Sequence, residues 1–234
     1  MLLASLREHV LEANLDLVRR GLVLSTFGNA SGVARDEGLI VIKPSGVSYD
    51  SMKPEHLVVT DMQGKLVEGT LRPSSDLPTH VALYRAFRSI GGVAHTHSEY
   101  ATAWAQARKP IPCFGTTHAD YFHGSIPLTD VMSDDEINGE YEVNTGMGIV
   151  RAFAMLDPMS IPAVLVANHG PFAWGLDARK AAENAWMLEA AARIAYFTVG
   201  IDPLANNLDK TLLDRHFLRK HGKQAYYGQL KIKE

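Results

Sequence analysis

Gly91-Gly92-Val93-Ala94-His95-Thr96-His97 is the stretch whose reading decides the fold. An apolar run that enters through two glycines and ends in His-x-His is predicted to be a β-strand. Strand side chains alternate, so His95 and His97 then share a face and can reach one ion. An exposed or hydrogen-bonded pair that binds nothing is the other reading of the same two residues. A catalytic Zn²⁺ takes three protein ligands and keeps a fourth position open, so the pair needs a third member. His169 is placed to supply it, because Pro162-Ala163-Val164-Leu165-Val166-Ala167 reads as a buried strand ending at Asn168-His169-Gly170. Three imidazoles suit Zn²⁺, and equally Co²⁺, Mn²⁺ or Fe²⁺.

Around these strands the pattern alternates. Leu3, Leu6, Val10, Ala13 and Leu17 recur at helical spacing, and Gly21 ends that helix just after Arg19 and Arg20. Leu39-Ile40-Val41-Ile42, entered from Arg35-Asp36-Glu37-Gly38, is hairpin chemistry, and a second hairpin joins Leu57–Thr60 to Lys65–Glu68. Helices are predicted over Pro78–Phe87, Glu99–Ala107, Gly146–Met155, Asp177–Val199 and Leu208–Lys220. No repeat and no Pro/Gly linker divides the chain, so residues 1–234 are expected to form a single domain. The fold class is α/β of the α+β type, a central, mostly antiparallel sheet covered by helices on both faces.

Composition excludes several functions. With 23 Lys+Arg against 26 Asp+Glu and no long run of one sign, neither a nucleic-acid coat nor a membrane-surface protein is expected. Cys113 is the only cysteine, so no intrachain disulfide can form. The opening MLLASLREHVLEANL lacks a signal peptide's apolar core, and no stretch approaches the roughly 20 apolar residues of a membrane span. The expected compartment is the cytoplasm.

Three Gly/Ser/Asn segments are candidate anion pockets: Gly28-Asn29-Ala30-Ser31, Pro44-Ser45-Gly46 and Pro73-Ser74-Ser75-Asp76. Hydroxyls and outward backbone N–H groups bind phosphate at such places, though Ser and Asp before a helix also serve simply as caps. Asp76 either caps the following helix, adds a carboxylate to the metal sphere, or acts as a base beside it. Asp120, in Thr116-Thr117-His118-Ala119-Asp120-Tyr121, is an acid/base candidate or a solvated loop carboxylate. Cys113 and Trp174 read as packing residues. The tyrosines of Ala225-Tyr226-Tyr227-Gly228 either pack locally or dock on something else.

Taken together, Val41-Ile42-Lys43-Pro44-Ser45-Gly46-Val47, Arg72-Pro73-Ser74-Ser75-Asp76, His95-Thr96-His97-Ser98 and Gly115–Phe122 resemble the class II aldolase/epimerase family. So do Asn138–Glu142, His169–Gly175, Arg219-Lys220-His221-Gly222 and Ala225–Gln229, and the likeness runs from Leu11 almost to the C-terminus. The resemblance implies one Zn²⁺ per subunit held by His95, His97 and His169, with Asp76 in or beside the metal sphere. It implies substrate and phosphate contacts from Gly28, Asn29, Ser45, Gly46, Ser74 and Ser75, and Asp120 and Tyr227 as the acid/base pair. Tyr227 would come from a neighbouring subunit of a C4 homotetramer, with segment 221–234 docking at the subunit interface. The implied partner is a small sugar phosphate, with no nucleic acid and no membrane.

The implied reaction is inversion at C4 of L-ribulose 5-phosphate to give D-xylulose 5-phosphate. Removing the C4 hydroxyl proton breaks C3–C4, and re-forming that bond on the other face of the aldehyde inverts the centre. A metal Lewis acid stabilises the enediolate, and two acid/base groups serve the two faces. One alternative is an aldolase that releases dihydroxyacetone phosphate and an aldehyde, although such enzymes usually carry Glu at the place of Asp76. A non-catalytic scaffold of adducin type is the other, and the intact histidine trio counts against it. The sequence departs from the family pattern at Ala167-Asn168, at Leu77, and in the tail beyond Gln229.

Overall fold

The computed structural model describes residues 1–222 together with Ala225 and Tyr226. Among the described residues, seven strands form one sheet in the order β4-β3-β2-β1-β5-β7-β6, with every strand pair antiparallel. The strands are β1 (Gly28–Ala34), β2 (Leu39–Ile42), β3 (Val58–Asp61), β4 (Leu66–Glu68), β5 (Gly92–Thr96), β6 (Ala163–Val166) and β7 (Gly170–Gly175). The helices are α1 (Ala4–Arg19), α2 (Leu77–Ala86), α3 (Glu99–Gln106), α4 (Thr116–Ala119), α5 (Asp134–Asn138), α6 (Tyr141–Ala152), α7 (Ala178–Ile201) and α8 (Lys210–His221). None is long and apolar enough to cross a membrane.

The decisive stretch forms the middle of the sheet. β5 pairs with β1 on one side, placing Asn29 opposite His95, and with β7 on the other, placing Phe172 opposite His95. Residues directly opposite share a face, so these three side chains are neighbours. Helices cover both faces. Gly32 and Gly92 face α1 and the start of α7, where a Cβ on Gly92 would lie 2.4 Å from the backbone of Asp177 and Ala178. On the opposite face, Ser31 meets His80 and Tyr84 of α2, and α2 packs along α6. The buried Asn14 amide donates to the Ala30 carbonyl and accepts from the Ala30 N–H, which ties α1 to β1 beside Asn29.

Three sequence-based expectations change. Gly170–Gly175 is a fully buried strand, not simply a turn with Trp174 packed behind it. Pro171 and the terminal glycines hide its strand character, because β propensity is low there even though both faces are buried. Arg7, a charged residue between the apolar positions Leu6 and Val10 of the first helix and so expected on its polar side, is buried. It donates to the carbonyls of Leu2, Pro54 and Leu57 and pairs with Glu68 at 2.8 Å. The helix around Gly146 also begins earlier, at Tyr141, and this places Tyr141 and Glu142 at its first turn.

Burial of two histidines makes stability pH-dependent. Burial pushes His80 down to about 4, against the pull of Asp76, and pushes His118 down to about 4, against a bond to the Gly124 carbonyl. In the unfolded chain both return toward 6.5, so the unfolded state binds more protons between those values. Their contribution is therefore complete above about pH 6.5 and is lost as pH falls toward 4, on the order of 3 kcal/mol for each at full loss. Urea midpoints of the metal-free protein are expected to fall steadily from pH 7 to pH 4.5. A flat profile would contradict the burial of neutral imidazoles.

Candidate metal centre

His95 lies near the end of β5, His97 two residues on, and His169 in the turn between β6 and β7. The ligand atoms of these three residues all lie within 4.8 Å of one another. His95 Nδ1 sits 2.9 Å from the Pro171 carbonyl, which can only accept, so Nδ1 carries the proton and Nε2 keeps its lone pair. That Nε2 faces His97 Nε2 at 3.2 Å. Two nitrogens bound to one tetrahedral Zn²⁺ at its usual bond lengths stand about 3.3 Å apart, so the pair fits a shared ion. Phe172 stacks on the His95 ring, with centroids 4.1 Å apart, and holds its plane.

Electrostatics keep the trio in its ligating form. Burial pushes His95 down to about 3, and burial also lowers His97 and His169, with Asp76 pulling all three the other way. Neutral imidazoles present lone pairs without first losing a proton. The Tyr141 hydroxyl, from the first residue of α6, lies 3.4 Å from His169 Nδ1. Burial raises the Asp76 carboxyl, but His95, His80, the Asn29 bond and His169 outweigh it and keep it below the ordinary carboxylate range. Asp76 Oδ2 accepts from Asn29 Nδ2 at 2.6 Å, and the same amide donates to Ser74 Oγ at 3.1 Å.

A cavity of about 400 Å³ joins this trio to the three candidate anion segments. Gly28, Asn29, Ser45, Gly46, Ser74, Ser75 and Asp76 all line it. An antiparallel bridge between Pro44 and Pro73, with bonds from Ser45 N–H to the Arg72 carbonyl and from Ser74 N–H to the Lys43 carbonyl, sets two of these segments side by side. Asn29 belongs to β1, so its backbone is held by the sheet, while its buried Oδ1 has no hydrogen-bond partner among the described residues. Gly28 has φ +132, and a Cβ there would meet Val23 and the His95 carbonyl at 3.2 and 3.3 Å. Gly46, at φ +67, opens a left-handed turn.

Residue-by-residue reading missed Lys43, Tyr141 and Glu142, which also line the cavity. Lys43 is buried, its ammonium 4.7 Å from the Tyr49 ring and bonded to the Pro44 carbonyl, and burial lowers its pKa. The available signal was a lysine ending a buried β-branched run immediately before Pro-Ser-Gly.

Asp120 does not line this cavity. It follows α4 and is gripped by α8, where Arg219 bonds both carboxylate oxygens, His216 lies at 3.0 Å and Lys220 at 3.4 Å. Burial raises Asp120, but Arg219, His216 and Lys220 more than offset it and keep the group ionised below the ordinary range. Tyr227 lies outside the described residues.

Residues 8–196 match the family model described as Class II Aldolase and Adducin N-terminal domain. The chain is 54% identical over 224 residues to L-ribulose-5-phosphate 4-epimerase UlaF of Salmonella paratyphi B, covering 96% of this chain and 98% of that protein. The same figures hold for the protein of that name from Salmonella typhi. Among solved structures, an L-fuculose 1-phosphate aldolase superposes with a TM-score of 0.77 at 25% identity, covering 91% of this chain and 94% of that one. The L-fuculose-1-phosphate aldolase of Thermus thermophilus, at 23% identity and TM-score 0.67, covers 86% of this chain and 98% of its own and shares the fold.

Proposed function

The chain belongs to the class II aldolase and adducin family, and from that membership we propose that it is an L-ribulose-5-phosphate 4-epimerase producing D-xylulose 5-phosphate. The observation that carries this choice within the family is the 54% identity, sustained over 96% of the chain, to proteins bearing that name. The likeness to an aldolase is looser, at 25% identity, and favours the aldolase reading only at the level of the fold.

His95, His97 and His169, with Asp76 beside them, would hold one divalent ion, Zn²⁺ in this reading, and that ion would supply Lewis acidity to the ketose substrate. The rest follows from the chain's own groups. Lys43 brings a positive charge to a buried wall, and the turn at Gly46 and the hydroxyls of Ser45, Ser74 and Ser75 offer donors to a phosphate. Asn29 Oδ1, unpaired among the described residues, accepts from a substrate hydroxyl.

A base takes the C4 hydroxyl proton, C3–C4 breaks, and its electron pair passes to the three-carbon enediolate fragment. Holding the phosphate keeps the aldehyde fragment, glycolaldehyde phosphate, in the cavity while it turns. The enediolate then attacks the other face, C3–C4 re-forms, and an acid returns a proton to the new C4 oxygen. Asp120 and Tyr227 take these two roles, one on each face. Asp120 does not line its own chain's cavity, and in this reading it acts at an adjacent subunit's site of a C4 homotetramer, together with the Tyr227 that the family resemblance assigns to a neighbour. The enzyme works in the cytoplasm, in the breakdown of pentose sugars.

Retro-aldol inversion never exchanges the hydrogen on C4. Turnover of L-ribulose 5-phosphate in D₂O is expected to give D-xylulose 5-phosphate without deuterium at C3 or C4, read by mass spectrometry and NMR. Deuterium at C4 would replace this mechanism with proton abstraction from carbon.

A further inference from the structure

Helix α3 connects the two halves of the histidine set. Its start follows His95-Thr96-His97-Ser98 directly, and its last turn holds the segment before His169. There the Asn168 N–H donates to the Ala105 carbonyl at 3.0 Å, and Arg108 Nε donates to Asn168 Oδ1 at 3.0 Å. Asn168 is left-handed, with φ 62, a conformation that asparagine adopts more readily than most residues. At the first turn, Ser98 is the N-cap residue yet its side chain makes no capping bond. The backbone donors of the first turn go instead to another helix. Glu189 of α7 accepts from Tyr100 N–H at 2.8 Å through Oε1 and from Ala101 N–H at 2.9 Å through Oε2.

A carboxylate on both N–H groups is a charge-assisted pair placed at the positive end of the helix. Trp104 Nε1 adds a second tie from α3 to α7, donating to the Ala192 carbonyl at 3.0 Å. The α7 helix packs on β5 and β7 as well, so one rigid element references α3 to the strands that carry or flank the ligands.

We propose that Glu189 is a positioning residue for the metal centre, fixing through α3 the separation between His97 and His169. This rests on the reading of His95, His97 and His169 as metal ligands. Without Glu189, two helix-start N–H groups lose their partner, the first turn of α3 loosens, and the span between the two ligand segments is no longer set. Outer-shell partners of metal ligands affect affinity by about 10–100-fold when removed, and an effect acting through one helix belongs near the lower end.

The test is the Zn²⁺ dissociation constant of the full-length protein, measured by chelator competition, alongside the melting temperature of the metal-free form. Glu189→Ala is expected to weaken Zn²⁺ binding about tenfold, and Glu189→Gln, which keeps one acceptor, to fall between Ala and wild type. Arg7→Leu, which breaks the Glu68 pair at the β4 edge of the sheet, is the destabilised control and should melt lower with wild-type Zn²⁺ affinity. Wild-type affinity in Glu189→Ala, or in Glu189→Gln should the alanine variant not fold, overturns the inference. So does an equal loss of affinity in Arg7→Leu. Failure of the underlying reading is separate: wild-type protein that binds no Zn²⁺, or His97→Ala that binds it as tightly, rejects the ligand set itself.

Discussion

Replacing His97 with alanine is expected to empty the metal site and reduce kcat/KM by about a thousandfold or more. The Lewis acid contributes several kcal/mol of charge stabilisation, and each 1.4 kcal/mol is about tenfold in rate. His97 is half-buried at the cavity and packs beside the exposed Phe27, so truncating it opens the site without removing core volume. His95 is a worse probe, because it also stacks on Phe172 and bonds the Pro171 carbonyl, and its loss would disturb β5 and β7 together. Elemental analysis should find about one metal per wild-type chain and almost none in the variant, with unchanged far-ultraviolet circular dichroism. Full metal retention in His97→Ala would remove it from the ligand set.

Asp120→Asn and Tyr227→Phe are each expected to lower kcat by about 10²–10⁴-fold with metal content unchanged, the usual range for a lost acid/base group. The sharper consequence is complementation. Where a neighbour completes each site, co-expressed His97→Ala and Tyr227→Phe chains form mixed tetramers in which some sites receive an intact histidine trio and an intact Tyr227. Random assembly places both at about a quarter of the sites of a C4 ring, so about a quarter of wild-type activity should return. Mixtures no more active than their parents would place the whole site within one chain. Asp120 motivates the experiment, because it lies outside its own cavity's lining and yet is kept ionised by Arg219, His216 and Lys220.

Much of this arrangement was legible locally. A strand ending in His-Thr-His, two hairpins and a buried strand running into Asn168-His169 follow from side-chain period and turn chemistry, and they recur as β5, the β1–β2 and β3–β4 pairs, and β6. What local pattern cannot carry is a side chain whose environment is made by distant segments. Arg7 reads as a polar helix residue until Glu68 and the Leu57 and Pro54 carbonyls close around it. Asn29 reads as part of a Gly/Ser/Asn segment that could serve as an anion pocket, and pairing with β5 makes it a strand residue opposite His95. Lys43 becomes a cavity wall only once the bridge at Pro44 and Pro73 forms. Glu189 shows nothing in sequence, since its partners lie 88 and 89 residues away.

The acid/base assignment depends least on local pattern. Asp120 sits in a charged network with α8, and no spacing rule links it to the histidine cavity. Tyr227 lies beyond the described residues, so its role rests on the family resemblance. The metal trio is different, because sequence pattern and geometry converge on it independently, from strand alternation on one side and the 3.2 Å approach of two Nε2 atoms on the other.

The most direct measurement of the central claim is the product formed from L-ribulose 5-phosphate by metal-loaded protein, resolved by chirality-sensitive coupling enzymes and NMR. The expected result is D-xylulose 5-phosphate at equilibrium with its substrate, with no accumulating fragments. Free dihydroxyacetone and glycolaldehyde phosphate as the main products, or no turnover by protein carrying its full metal complement, would contradict it.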